Sequence, residues 1–248
     1  MASPALAELE SLLSARKLDH TLPSRLPQSG AAAHAPAATG LVALDEPLAG
    51  GLPRGQISEI VGPRSSGRQT MLVSWLAAAA ARGELTALVD PLDMFDPASA
   101  ASRGLDLSRL LWVRGRAQAA APVSLPREVG DLGEQVERAI KALNLILQAG
   151  GFGLVALDLG EVPPVVAGRL PFTTWRRLYR VIEGGETACV VVSGEPLARS
   201  VGGISLALDR PAVVSRPDSR LFPILDIAGQ AVHGRGMRSI KVALSPEP

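Results

Sequence analysis

Residues 57–70 read Ile57-Ser58-Glu59-Ile60-Val61-Gly62-Pro63-Arg64-Ser65-Ser66-Gly67-Arg68-Gln69-Thr70, and this stretch decides the fold. An apolar run of strand length enters a loop bounded by Gly62 and Gly67, and an Ala-rich helical pattern follows over 69–81. Strand, glycine loop and helix in that order are the context of a phosphate-cradling loop of the form G-x-x-x-x-G-K. Its physics is a nest of backbone N–H groups placed at a helix N-terminus, both of which favour an anion. With Arg68 in the lysine place the loop is a weak signal by itself.

Working outward, residues 85–90, 110–113, 154–157 and 188–193 read as further strands, several of them continuously apolar. Between them, 131–148 carries Leu132, Val136, Ile140, Leu143 and Leu147 along one helical face, and 171–183 reads as another helix. Strands alternating with helices imply an α/β fold with a mostly parallel central sheet covered on both faces. After Gly203 the pieces 204–208, 212–215, 222–227 and 239–244 are separated by Pro211, Pro217, Gly229 and Gly234, which predicts antiparallel edge strands at the C-terminal side. Near the start, 5–18 is an amphipathic helical segment with Leu6, Leu9 and Leu13, followed by a Pro/Ala-rich stretch that reads as a linker. The expected organisation is a helix within 1–22, a linker over 23–39 and a core over 40–248. That helix either packs on the body or docks on a partner or a neighbouring subunit.

Composition narrows the function. The 248 residues hold 25 basic and 24 acidic side chains, so the net charge of +1 gives no overall footprint for nucleic acid. A single cysteine, Cys189, sits in an apolar run and fits a buried thiol of a reducing compartment. No signal peptide and no bilayer-spanning run is evident, which predicts a cytoplasmic protein.

The surroundings of the glycine loop resemble the RecA recombinase family over roughly residues 39–210. The resemblance is carried by Thr39-Gly40-Leu41-Val42-Ala43-Leu44-Asp45, the turn Gly50-Gly51-Leu52-Pro53-Arg54-Gly55, Glu59-Ile60-Val61-Gly62-Pro63, and Asp96-Pro97-Ala98-Ser99-Ala100 followed by Gly104-Leu105-Asp106-Leu107-Ser108-Arg109-Leu110. It implies a RecA-like P-loop core in which Gly62, Ser65, Ser66, Gly67, Arg68, Gln69 and Thr70 form the nucleotide loop and Asp158 the Walker B aspartate.

Three departures fall on chemistry. Arg68 replaces the compact ammonium of lysine with a planar fork. Gln69 stands where a hydroxyl should bind Mg²⁺, while the Thr70 hydroxyl is rotated about a quarter turn away. Leu92 occupies the place of the glutamate that activates water and can neither orient nor deprotonate it, the adjacent Asp93 being the minor alternative. Asp158 holds Mg²⁺ through water, caps the next segment, or forms an ion pair with Arg68, the last of these holding the loop folded without nucleotide. No catalytic residue and no metal ligand set is assigned, and no cofactor is expected, ATP with Mg²⁺ being the alternative.

In the recombinases two loops hold single-stranded DNA. Their counterparts here, residues 160–169 and 193–203, are short, supply one arginine each and carry no aromatic ring. Basic residues cluster elsewhere: Arg176, Arg177 and Arg180 on the helix with Trp175 and Tyr179, and Arg235, Arg238 and Lys241 near the C-terminus. They form either solvated faces or a patch for DNA or an acidic partner. A leading helix, a degenerate loop and trimmed DNA loops resemble the ImuA group, RecA-like accessory proteins of DNA damage. That resemblance implies a non-catalytic, nucleoid-associated scaffold in error-prone translesion synthesis. Its expected partners are an ImuB-like polymerase-family protein, a RecA-type recombinase or a second copy. A DNA-dependent ATPase related to the recombinases is the competing reading, and a cell-division inhibitor a third that no residue supports.

Overall fold

The computed structural model describes residues 34–115, 126–198, 202–209, 212–214, 224–233 and 236–244. Six parallel strands form the centre of one sheet: β1 (Ile57–Val61), β2 (Leu85–Asp90), β3 (Leu110–Arg114), β4 (Phe152–Leu159), β5 (Ala188–Ser193) and β6 (Gly202–Leu208). They lie in the order β3-β2-β4-β5-β1-β6. The sheet continues through β8 (Ile224–His233), which runs antiparallel to β6 and to both β7 (Ala212–Val214) and β9 (Gly236–Leu244). The helices are α1 (Val42–Asp45), α2 (Arg68–Ala81), α3 (Pro97–Ser102), α4 (Pro126–Ala149), α5 (Pro164–Ala167) and α6 (Phe172–Ile182).

The continuous apolar runs follow from burial on both faces. Along β5, Val190 and Val192 enter a cluster with Met71, Leu72, Trp75 and Leu76 of α2. Cys189 and Val191 point the other way, against Val136 and Leu143 of α4 and Trp175 and Leu178 of α6. Strand β4 divides likewise, with Leu154 and Ala156 toward α2, and Val155 and Leu157 toward α4 and α6. Alternate residues thus face opposite layers that are equally dry, so the run shows no polar alternation. Of the five apolar residues expected on the face of α4, Leu132, Val136, Leu143 and Leu147 are buried, whereas Ile140 is half-buried at the rim.

One strand pairs differently from the expectation. Residues 204–208 were expected to open the antiparallel edge, but β6 runs parallel to β1, with Ile57 opposite Gly202 and Glu59 opposite Ser205. Only eight residues separate β5 from β6, fewer than the dozen or more that a parallel crossover ordinarily takes, so sequence spacing favoured an antiparallel return. Gly203 permits the crossing: a Cβ there would lie 2.1 Å from the Ile57 carbonyl oxygen. Strand β8 also runs through Gly229, which pairs with Leu208 and Ile240 instead of breaking the strand.

Residues 34–39, the last part of the expected linker, are bonded to the core. Ala37 and Leu52 exchange backbone hydrogen bonds of 2.8 Å, and the Thr39 amide and hydroxyl donate to Asp45 at 2.8 and 2.7 Å. Arg54 gathers this corner by donating to Ala35 O, Gly153 O, Glu186 O and the Glu84 carboxylate. Burial pushes the Glu84 carboxyl up, but the hydrogen bonds and charges of Arg82 and Arg54 outweigh it and hold the group below its ordinary range. Leu6, Leu9 and Leu13, with the rest of the expected N-terminal helix, lie outside the described residues, as does the tail 245–248.

Candidate functional site: the glycine loop and its neighbours

The C-terminal ends of β1, β2, β4 and β5 converge, and the side chains expected to carry phosphate chemistry meet there. The loop leaves β1 at Gly62, whose amide bonds to Ser193 O at 3.1 Å. It turns through Ser65 at φ 64° and Gly67 at φ 88°, both left-handed. Left-handed residues of this kind are the ones a nest of N–H groups uses, although the Ser66 amide is already bonded to Pro63 O at 3.1 Å. Gly67 is the N-cap of α2 and gives it no side-chain cap. Ser66 is fully buried, and its hydroxyl has no hydrogen-bond partner.

Arg68 opens α2 and is 4% exposed. It turns back under the loop, donating from Nη1 to Gly62 O and from Nη2 to Gly160 O. Nη2 also meets the Glu161 carboxylate at 2.7 Å. Glu161 lies in the turn after β4 and takes a second cation from the loop, Arg64, at 3.6 Å. Gln69 donates its side-chain amide to Asp158 Oδ2, while the Gly160 amide donates to Asp158 Oδ1 at 2.8 Å. The expected Arg68–Asp158 ion pair is therefore not the one formed. A guanidinium on three methylenes reaches past the strand end to the turn, and the shorter amide of Gln69 takes the carboxylate at the strand end. Glu161 was missed because it was read only as part of a loop poor in cations. The available signal was the buried cation itself, which needs a carboxylate near the strand ends.

Asp158 is 6% exposed, and burial pushes its carboxyl up. Hydrogen bonds from Gln69 and Gly160 and the nearby Arg68 charge pull down, while the neighbouring Asp90 charge adds to the rise. A carboxyl with a raised folded pKa binds more protons folded than unfolded. Stability therefore falls as pH rises from its unfolded value near 3.9 to its folded one. An amide at this position keeps both bonds, because its oxygen accepts from Gly160 and its NH₂ donates to a flipped Gln69. Asp158→Asn is accordingly expected to leave stability at pH 7 unchanged or raised, and to flatten the loss between acid and neutral pH. Urea unfolding midpoints of both proteins at pH 5 and 7 test this; a midpoint clearly lowered at pH 7 would show that the charge itself holds the site.

The remaining expected participants point elsewhere. Leu92 is 8% exposed and packs in the cluster under α4. Asp93, at φ 57°, is bound by Arg114 through two bonds of 2.7 and 2.9 Å, and the Arg114 partner keeps its carboxyl below the ordinary range. Arg114 also stacks over Trp112, 4.3 Å from the ring centroid. Asp90 accepts from the Phe95 amide at 2.8 Å. Thr70 uses its carbonyl to accept from the Ser74 hydroxyl at 2.9 Å.

The magnesium nucleotide that such a loop holds in working ATPases does not fit these residues. The oxygens of the strand-end carboxylate are bonded internally, the loop cation is bonded under the loop to carbonyls and a carboxylate, and no carboxylate stands at position 92. Among the described residues no group of three or more His, Cys, Asp or Glu side chains is placed to hold a metal ion.

The counterpart of the second DNA loop is tied to the sheet. Glu59, buried in β1, accepts from the amides of Leu197 and Ala198 at 2.8 and 2.7 Å, and Ser193 donates its hydroxyl to Glu195 O at 2.8 Å. On α6, Arg176, Arg177 and Arg180 are exposed, but Trp175 is buried and the Tyr179 hydroxyl donates to Glu183, so neither aromatic interleaves with the arginines. Arg238 and Lys241 lie on β9 with their side chains outside the described atoms, and Arg235 lies outside the described residues. No helix among the described residues is long and apolar enough to cross a membrane.

The family model of the RecA N-terminal domain matches residues 25–121. Protein RecA of Chlorobium chlorochromatii is 30% identical over 170 residues, which cover 62% of this chain and 43% of that protein. Protein RecA of Chlorobaculum parvum is 31% identical over 185 residues, 68% of this chain and 48% of that one. Protein RecA of Clavibacter michiganensis is 38% identical over 121 residues, 48% of this chain and 28% of that one. The chain thus spans less than half the length of each of these relatives.

Proposed function

We propose that this chain, a member of the RecA-like superfamily, is a non-catalytic accessory protein of the DNA damage response. It scaffolds protein partners in error-prone translesion synthesis, modulates a recombinase, or does both. The finer kinship is with the ImuA group, on the leading helix, the altered loop and the short DNA loops. The partners in this reading are an ImuB-like polymerase-family protein, a RecA-type recombinase and, for self-association, a second copy; the site of action is the cytoplasm, at the nucleoid. No cofactor is needed.

The observation that carries the proposal is the internal bonding of the glycine loop. Hydrolysis asks for a cation free to meet phosphate oxygens, an oxygen set free to hold Mg²⁺ and a carboxylate to orient water. Here Arg68 is bonded to Gly62 O, Gly160 O and Glu161, Asp158 is bonded to Gln69 and Gly160, and position 92 is leucine. The tied loop around Glu59 and the absence of stacking aromatics in both short loops argue against the competing DNA-dependent ATPase.

Phosphate release by the purified full-length chain, with and without single-stranded DNA, tests the reading. The expected result is no turnover above buffer in either condition, alongside co-purification with the polymerase-like partner. DNA-stimulated release that Arg68→Ala abolishes would establish the ATPase in its place.

A further inference from the structure

Away from the glycine loop, α4 and α6 enclose an open groove of about 690 Å³ that neither the fold nor the loop uses. One stripe of α4 forms its wall, from Gly130 and Gly133 through Glu137 and Lys141 to Leu145. These positions recur every three or four residues, so they share one face about 22 Å long at 1.5 Å per residue. It is distinct from the face carrying Leu132, Val136 and Leu143, which is buried under the sheet.

Two glycines in a helix interior weaken the helix relative to alanine, so their presence asks for a reason. The described residues supply none. A Cβ built on Gly130 or Gly133 meets nothing within 4 Å, in contrast to Gly203 or Gly62, where it would collide. The room at Gly130 and Gly133 is therefore room for something outside the described chain to approach the helix backbone.

The rest of the groove states the chemistry of that partner. Leu145 is 65% exposed at its end, and the half-buried Ile140 and Leu170 supply apolar contact. The side chains of Arg169, Arg177 and Lys141 are exposed around it and, among the described residues, make no ion pair or hydrogen bond. Of the two carboxylates on the wall, Glu134 is held by Arg138 at 2.9 Å, leaving Glu137 against three unpaired cations. Apolar floor, glycine gap and surplus positive rim complement an amphipathic helix whose leucine ridge is flanked by acidic side chains. A nucleic-acid strand fits less well, because the wall carries carboxylates and the groove offers no ring for a base to stack on.

We propose that the α4/α6 groove is a docking site for an acidic amphipathic helix of a partner protein, with Gly133 giving the close approach and Arg169, Arg177 and Lys141 the charge contacts. It rests on the reading that the chain works by binding proteins, and it names a surface and a partner chemistry for that role.

A labelled 15-residue helical peptide, with leucines every third or fourth position and glutamates on both flanks, is titrated with the full-length chain by fluorescence anisotropy. Its competitors are the same peptide with lysines for glutamates and a single-stranded oligonucleotide. The acidic peptide is expected to bind, and the lysine peptide to bind at least about tenfold more weakly. Gly133→Leu fills the gap without touching the fold, so its Tm is expected to be unchanged or higher while affinity falls at least about tenfold; Arg177→Glu weakens binding and its salt dependence together. No binding of the acidic peptide, equal binding of the lysine peptide, or full affinity in Gly133→Leu overturns the proposal, and preferential capture of the oligonucleotide assigns the groove to nucleic acid instead. Phosphate release decides the non-catalytic reading separately: a chain that neither turns over ATP nor binds the peptide loses only the groove.

Discussion

Arg68→Ala is expected to lower the stability of the protein by about 2–4 kcal/mol, a larger loss than truncating a surface cation causes. The guanidinium is buried and satisfies two backbone carbonyls, Gly62 O and Gly160 O, together with Glu161. Removing one partner of a buried ion pair costs about 3–5 kcal/mol. The cost here is set toward the lower side because the Glu161 side chain keeps 28% exposure and rehydrates. In a chain of this size the change corresponds to a Tm drop of roughly 5–15 °C. Arg68→Lys retains the charge but reaches fewer of the three acceptors, so about 1–2 kcal/mol is expected for it. Chemical unfolding of both variants checks the order. A loop cation that serves a bound phosphate is freely removable in the unliganded protein, so an Arg68→Ala variant as stable as the parent would show that Arg68 is not built into the fold.

The second large effect is expected at Glu59. Its carboxylate is buried in β1 and accepts the amides of Leu197 and Ala198, and it takes part in further interaction as well. Glu59→Ala leaves the buried Ala198 N–H and the half-buried Leu197 N–H without their acceptor, at about 1–3 kcal/mol each, for a total of roughly 2–6 kcal/mol. Glu59→Gln preserves an oxygen in the same place and is expected to cost less than half as much. Hydrogen exchange separates the local from the global consequence, since the amides of Leu197 and Ala198 should exchange far faster in Glu59→Ala than amides of β4 do. Unchanged protection at 197 and 198 would mean that the loop is held by something other than Glu59. The same substitution bears on function: a released loop that gained affinity for single-stranded DNA would show that tethering suppresses an ancestral DNA contact.

Much of this architecture was legible in the residues. The strand–loop–helix at 57–81 and the apolar runs of β4 and β5 gave the parallel sheet, because strands buried on both faces leave a signature that no exposed strand has. The direction of β6 was not legible, since an eight-residue connection is shorter than a parallel crossover ordinarily takes and so pointed to an antiparallel return. Within the site, the residue types at positions 68, 69 and 92 showed where the loop departs from the phosphate-binding pattern. Which carboxylate meets Arg68 depended on reach: the fork extends beyond Asp158 to Glu161, and Gln69 takes the nearer acid. The α4/α6 groove was invisible for a different reason. The empty space beside Gly130 and Gly133 is a property of the packing that residue type does not encode, and Ile140 reads as core until the helix is seen to turn it to the rim.

The central claim is that the phosphate loop is closed on its own side chains. Thermal unfolding of the full-length chain with and without saturating ATP and Mg²⁺ tests it most directly, because any ligand that binds only the folded state stabilises it by mass action. A site present at a hundred times its Kd adds about 2.7 kcal/mol, or roughly 5–10 °C in Tm. The expected result is the same Tm with nucleotide, with nucleotide plus Mg²⁺ and with neither. A Mg²⁺-dependent rise of that size, lost in Asp158→Asn, would contradict it and return the loop to nucleotide chemistry.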